Sequence, residues 1–135
     1  MTLSPYNALN SAIHKRLTGG TALVSAIGGT AIYHGIAPES SNLPYVIWSF
    51  AAGTAENMTP NASVAEIVYI RAYAATAKKA AEIDAQVASL METDLTVTGW
   101  NNYWLARESE YFLPEIDDAG VTTWSCGANY RVRLD

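Results

Sequence analysis

The C-terminal stretch TWSCGANYRVRL alternates without a break. Trp124, Cys126, Ala128, Tyr130, Val132 and Leu134 fall on one side, and Ser125, Gly127, Asn129, Arg131 and Arg133 on the other. A period of two over that length is a β-strand with one face in a core and one in a polar setting. Such a strand needs strand neighbours and a layer over its apolar face, so the chain must build a sheet backed by something. Two further segments qualify as neighbours. In Ala62 to Ala74, Val64, Val68, Ile70 and Ala72 share one face, and Ile67, Tyr69, Arg71 and Tyr73 the other. From Pro44 to about Ala52, Tyr45, Ile47 and Ala51 lie on one face and Val46, Trp48 and Phe50 on the other, and both faces are apolar. Ala31 to His34 is a short strand, Leu95 to Thr98 a candidate one, and Tyr103 to Phe112 forms a closing hairpin with Val121 to Leu134 around LPEIDDAG.

The covering layer is helical. Ser4 and Pro5 start a helix in which Tyr6, Leu9, Ile13 and Leu17 make one apolar stripe, with Lys15 and Arg16 in its last turn and Gly19-Gly20 as its stop. Thr21 caps a second, short helix through Ala26. Thr76 caps a third over 77–91, with Ala80, Ile83, Val87 and Leu90 buried. The expected fold is α+β: residues 1–135 form a single domain, with a mainly antiparallel or mixed sheet of about five strands. Two main helices and one short helix pack on one face.

The second face of the sheet then has no helix to cover it. It exposes Tyr69 and Tyr73 with either the Tyr45/Ile47 row or the Val46/Trp48/Phe50 row. A contiguous patch of that kind marks an interaction surface, and four Trp, eight Tyr and two Phe in 135 residues agree with one. At this stage a core closed by loops is an equal alternative. Gly53 to Asn61, GTAENMTPN, reads as a polar connection able to contact a partner.

Other chemistries find little support. A net charge of −5, with 13 acidic and 8 basic side chains, does not suit wrapping nucleic acid. The single Cys126 excludes an internal disulfide and sits in an apolar strand row. His14 is a helix-surface residue and His34 a turn or packing residue; neither stands beside a nucleophile, and no G-x-S-x-G elbow occurs. Two distant His and one Cys do not make a metal site, and neither phosphate-binding glycine motif is present. Glu108, Glu110, Glu115, Asp117 and Asp118 gather in one hairpin, where a solvated turn is a simpler reading than a catalytic carboxylate pair. The reading is a non-enzyme without cofactor or metal. With no signal pattern at MTLSPYNALNSAIHKR and no long apolar run, the chain is expected to be soluble and cytoplasmic, or assembled there into something larger.

A family resemblance enters at AIYHG followed by APESSNLPYVIWSF. Tyr33 and Gly35, Ala37-Pro38, and Pro44-Tyr45-Val46-Ile47-Trp48 come in the order found in tail-completion or tail-terminator proteins of long-tailed (siphovirus-like) bacteriophages. EIVYIRAYAAT, TAKKAAEIDAQVASLM and NYRVRLD continue the similarity over nearly the whole chain. DDAGVTTW and the long GTAENMTPN connection depart from the pattern. The resemblance implies a structural virion protein at the tail–neck junction, assembled in the host cytoplasm. It would form a ring, hexameric in the family, that caps the tail tube, ends its polymerisation and meets the head-completion or connector protein. DNA would pass through without specific binding, and no membrane would be involved. On this reading Tyr45, Ile47, Trp48, Tyr69 and Tyr73 are subunit-interface candidates. Glu56, Asn57, Met58, Glu108, Glu110, Glu115, Asp117 and Asp118 are candidates for partner or channel loops, the acids of the hairpin repelling DNA phosphates if they face the channel. A head-completion or neck adaptor protein of the same particle is the alternative, and a small-ligand enzyme or sensor domain the alternative class.

Overall fold

The computed structural model describes residues 5–38, 41–55, 63–116 and 119–135, without the side chains at 52, 54 and 55. The Ser4 cap and the candidates Glu56, Asn57, Met58, Asp117 and Asp118 lie outside the described residues. The element order is α1 (Pro5–Thr18), α2 (Thr21–Ile27), β1 (Ile32–His34), β2 (Tyr45–Ala55), β3 (Val64–Ala74), α3 (Ala77–Leu90), β4 (Asn102–Ile116) and β5 (Thr122–Leu134). One five-stranded sheet has the order β1-β2-β3-β5-β4, with β1 parallel to β2 and every other pair antiparallel. This is the expected α+β fold.

All three helices lie on one face. Leu9, Ile13 and Leu17 of α1, Leu23 and Ile27 of α2, and Ala80, Ile83 and Val87 of α3 are buried against Val46, Trp48, Val68, Ile70, Ala72, Ala128, Tyr130, Val132 and Leu134. Each large side chain fully buried here contributes about 1.5–3 kcal/mol by removal from water. A single guanidinium fastens the layer. Arg16 donates from Nη1 to the Leu90 and Thr93 carbonyls (2.7 and 3.0 Å) and from Nη2 to the Asp94 carbonyl (2.8 Å), so the C-terminus of α3 is held by the last turn of α1. No helix among the described residues is long and apolar enough to cross a membrane.

Several expectations need correction. Trp48 is fully buried under the helices and belongs to the core, not to an assembly surface. The open row is therefore Tyr45/Ile47. Thr21 is the first residue of α2; Gly20 holds the cap position with no side-chain bond, whereas Thr76 does cap α3 by accepting from the Lys79 amide at 3.2 Å. Leu95 to Thr98 forms no strand. Its Leu95 and Val97 are buried, and the Leu95 amide donates to the buried Asn102 side chain at 2.7 Å, a side-chain bond in place of a ladder. Gly53 to Ala55 belong to β2, because β3 continues to pair with them as far as Val64. Leu113 to Ile116 are strand, since β5 supplies ladder partners out to the pair Ile116 and Thr122. Pro114 is tolerated because β4 is the outermost strand.

Candidate assembly surface

The face of the sheet turned away from the helices follows row by row from the register. Tyr33 of β1 stands beside Ile47 of β2, then Arg71 of β3, Gly127 of β5 and Tyr111 of β4. Towards the hairpin end the next row is Tyr45, Tyr73, Ser125 and Leu113. In the other direction come Tyr69 with Asn129, Ile67 with Arg131 and Ala106, and Arg133 with Trp104. Among the described residues no helix covers these rows.

The rings and guanidinium groups order one another. Tyr45 stacks on Tyr73 with centroids 5.3 Å apart, and Tyr33 leans on Tyr45 at 6.2 Å. Arg71 lies between two rings, 5.1 Å from the Tyr69 centroid and 4.6 Å from that of Tyr111. Its Nε donates to the Tyr111 hydroxyl at 2.8 Å. Arg71 and Tyr111 stand on strands separated by β5, and they meet because Gly127 lies between them. A Cβ there would run into the Ile70 carbonyl and approach Arg71 Cα at 2.9 Å and the Tyr111 hydroxyl at 3.0 Å. Arg133 lies 5.7 Å from the Trp104 ring. Such cation–π pairs contribute about 0.5–1 kcal/mol each at exposed sites.

The electrostatics of the face follow from this packing. Burial, then Tyr73 and Glu115, raises the Tyr45 hydroxyl above its ordinary value. Burial also raises Tyr111, and Arg71 offsets part of that effect. Burial pulls the Arg71 guanidinium down, but hydrogen bonds to Tyr73 and Tyr111 leave it above its usual value. Tyr45 and Tyr111 therefore stay neutral phenols and Arg71 a cation through the physiological range. Three of the chain's eight basic residues, Arg71, Arg131 and Arg133, stand here in a protein of net charge −5.

The structure thus brings Tyr45, Ile47, Tyr69 and Tyr73 together on one surface and removes Trp48 from it. The acidic hairpin is not a run of free charge. Glu108 accepts from Arg131 Nε at 3.0 Å, and Glu110 from Arg107 Nε at 2.7 Å; Glu115 is exposed at the end of the open face. The two histidines flank the buried Trp48: His34 stacks on it at 4.3 Å, and His14 lies 6.4 Å away. Neither stands in a catalytic arrangement with Cys126, which is buried with its thiol pushed up to about 12 by burial and by Asp84. No group of His, Cys, Asp and Glu among the described residues could hold a metal ion.

Sequence reasoning set Arg71 on this face but assigned it no role, and it missed Tyr33, Trp104, Tyr111 and Gly127 as members of the site. A glycine in the polar row of an otherwise regular strand was the available signal, since it invites side chains from both neighbouring strands to meet above it.

Comparison with protein-family models gives no match, and comparison with curated proteins gives none. Among solved structures, the fold is similar to a chain in the virion of a native gene transfer agent (GTA) particle, with a TM-score of 0.79 and 18% identity, covering 98% of each chain. At that identity the likeness is one of fold.

Proposed function

We propose that this chain is a structural virion assembly protein that forms a ring at the end of a phage-like tail tube. It stops tube polymerisation and presents the surface on which the head is joined. The observation that carries the reading is the fold it shares, over nearly the full length of both chains, with a chain of a gene transfer agent virion. The open face gives that reading a physical basis. Five tyrosines and Trp104, with Arg71 and Arg133 against their rings, are more aromatic surface than a free-standing domain needs, and Tyr and Arg dominate the centres of protein interfaces. In this proposal Tyr45, Ile47, Tyr69 and Tyr73 meet another protein of the particle. The chain has no enzymatic task, and it works through contacts alone.

The test is assembly in cells producing the particle without this chain. Tails of uncontrolled length and unattached heads are expected, with purified protein restoring joining in the extract. Tails of normal length that merely fail to attach would overturn the capping role and favour a neck adaptor.

A further inference from the structure

The two outer edges of the sheet differ in kind. β4 is the outermost strand on one side, and its only strand partner is β5. It runs for 15 residues and contains no lysine. It carries five of the eight large hydrophobic side chains that are exposed among the described residues: Tyr103, Trp104, Phe112, Leu113 and Ile116. A long edge is a template for pairing with another strand unless charges, proline or bulges blunt it; on β4 the acids, Pro114 and the irregularity at 107–110 do so past Arg107, and leave its start with Tyr103 and Trp104 open. On the other side, β1 covers β2 only from Val46 to Trp48. Beyond Trp48, no described strand pairs with the outer side of β2, and after Phe50 its sequence, AAGTA at 51–55, has only small residues.

The two edges match in direction, level and bulk. β2 is antiparallel to β3, β3 to β5 and β5 to β4, so β2 and β4 run antiparallel. Two copies standing side by side in the same orientation would therefore present β4 of one to β2 of the next in the antiparallel sense. Through the register, Trp104 is level with Arg133, Ala65 and Thr54, and Ala106 with Arg131, Ile67 and Ala52. The bulky start of β4 stands at the height of the small end of β2, where large side chains have room to lie across the joint. β4 is irregular between Asn102 and Trp104 and again between Arg107 and Glu110, and β2 between Phe50 and Ala52, so the regular parts of the two edges that stand level are 104–107 and 52–55.

We infer that residues 102–107 of β4 in one copy add to the free edge of β2, residues 49–55, in a second copy, joining the two sheets into one. The contact is heterologous: every copy uses a different edge on each side, and the series closes only as a ring. This rests on the ring reading above and names its joint. The open faces of neighbouring copies would then run on as one band of tyrosine and arginine.

Native mass spectrometry of the full chain over a concentration series, with two edge variants, tests it. Trp104→Glu places a carboxylate beside Arg133 and a charge on the β4 edge; Ala51→Glu charges the β2 edge. Each variant, with unchanged circular dichroism, is expected to be monomeric where the native chain is a closed oligomer. A mixture of the two should give a one-to-one heterodimer and nothing larger, because only one sound joint remains. Should Trp104→Glu lose the fold, Tyr103→Glu charges the same edge without touching Arg133, with the same expectation. Variants that keep the native oligomer, or monomeric variants whose mixture yields no heterodimer, overturn the edge joint and leave the ring standing. A native chain that is monomeric at every concentration fails the ring reading itself.

Discussion

Glu66 stands in the row of β3 that otherwise sends Val64, Val68, Ile70 and Ala72 inward, and it is 2% exposed. One of its carboxylate oxygens has no hydrogen-bond partner, and burial raises its pKa despite a bond to Tyr6. The folded protein therefore holds a proton there at pH values where the unfolded chain has lost it. Stability falls as pH rises from the ordinary carboxylate range through the raised value, and the penalty is full above it. Glu66→Gln removes the titration. The variant is expected to be more stable than the native chain by about 1 kcal/mol near neutral pH and indistinguishable in acid. Urea melts at about pH 4 and about pH 7.5 decide it, and an advantage independent of pH would mean that the charge is not the cause. Cys126 gives a second residue-level expectation. With its thiol pushed up to about 12 and buried beside Asp84, almost no thiolate exists near neutrality. A disulfide reagent should modify it only as fast as the protein unfolds. Rapid labelling of the native state would show that the wall between α3 and β5 opens.

The element-scale question is what fixes the β4–β5 hairpin to the body. Asp84 of α3 takes a forked pair of bonds from Arg107 of β4, at 3.1 and 2.7 Å, while the same guanidinium donates to the Tyr130 hydroxyl at 2.6 Å and to Glu110 at 2.7 Å. Burial draws the Arg107 guanidinium down, but its bonds to Asp84 and Glu110 hold it above its ordinary value, so it stays charged. Asp84→Ala takes away the forked pair and leaves that cation only Glu110 and the Tyr130 hydroxyl, and is expected to cost about 2 kcal/mol, or roughly 6–10 °C in Tm. The double change Asp84→Leu with Arg107→Met should recover most of the loss, because neither charge is then left alone. A Tm for Asp84→Ala within about 1 °C of native would dispose of the idea that this cluster is the fastening. The same cluster shows where the sequence stopped being legible. Helix stripes, the Thr76 cap and the alternation of β3 and β5 are local patterns, and they led directly to the α+β layer. The irregularity between Arg107 and Glu110 is not a pattern of that sort. Leu105 and Arg107 face the helices, and a regular strand would continue with Ser109 and Tyr111. The extra residue instead puts Glu110 and Phe112 on the helix side, both still exposed, and sends Tyr111 to the open face. Nothing in the residues 107–111 by themselves announces that slip. The choice between the two apolar faces of PYVIWSF was hidden for a related reason: it depends on which side α1 and α2 return to.

At the scale of the whole molecule, one face of the sheet is finished by three helices and the other, among the described residues, by its own side chains. Tyr45 and Tyr73 are half-buried against each other, and Tyr69 against Arg71. A face built in this way is already ordered before a partner arrives, so little side-chain entropy remains to be lost on contact. This separates its role in binding from its role in folding. Tyr69→Ser removes one ring that stacks only on Arg71, and it should lower stability by no more than about 1 kcal/mol. Gly127→Ala is the contrasting change: it would force β5 away from β3 and part Arg71 from Tyr111, with an expected loss of more than about 2 kcal/mol. If the open face is an assembly surface, Tyr69→Ser should weaken binding to purified tail tubes by at least about tenfold while its melting curve stays near native, since a buried interface tyrosine commonly carries about 2 kcal/mol. Co-sedimentation with tubes over a concentration range measures the first quantity, and thermal melts the second. A variant that binds tubes like the native chain, and whose ring is also unchanged, would mean that the rows of tyrosine and arginine stabilise the monomer's sheet and serve no partner.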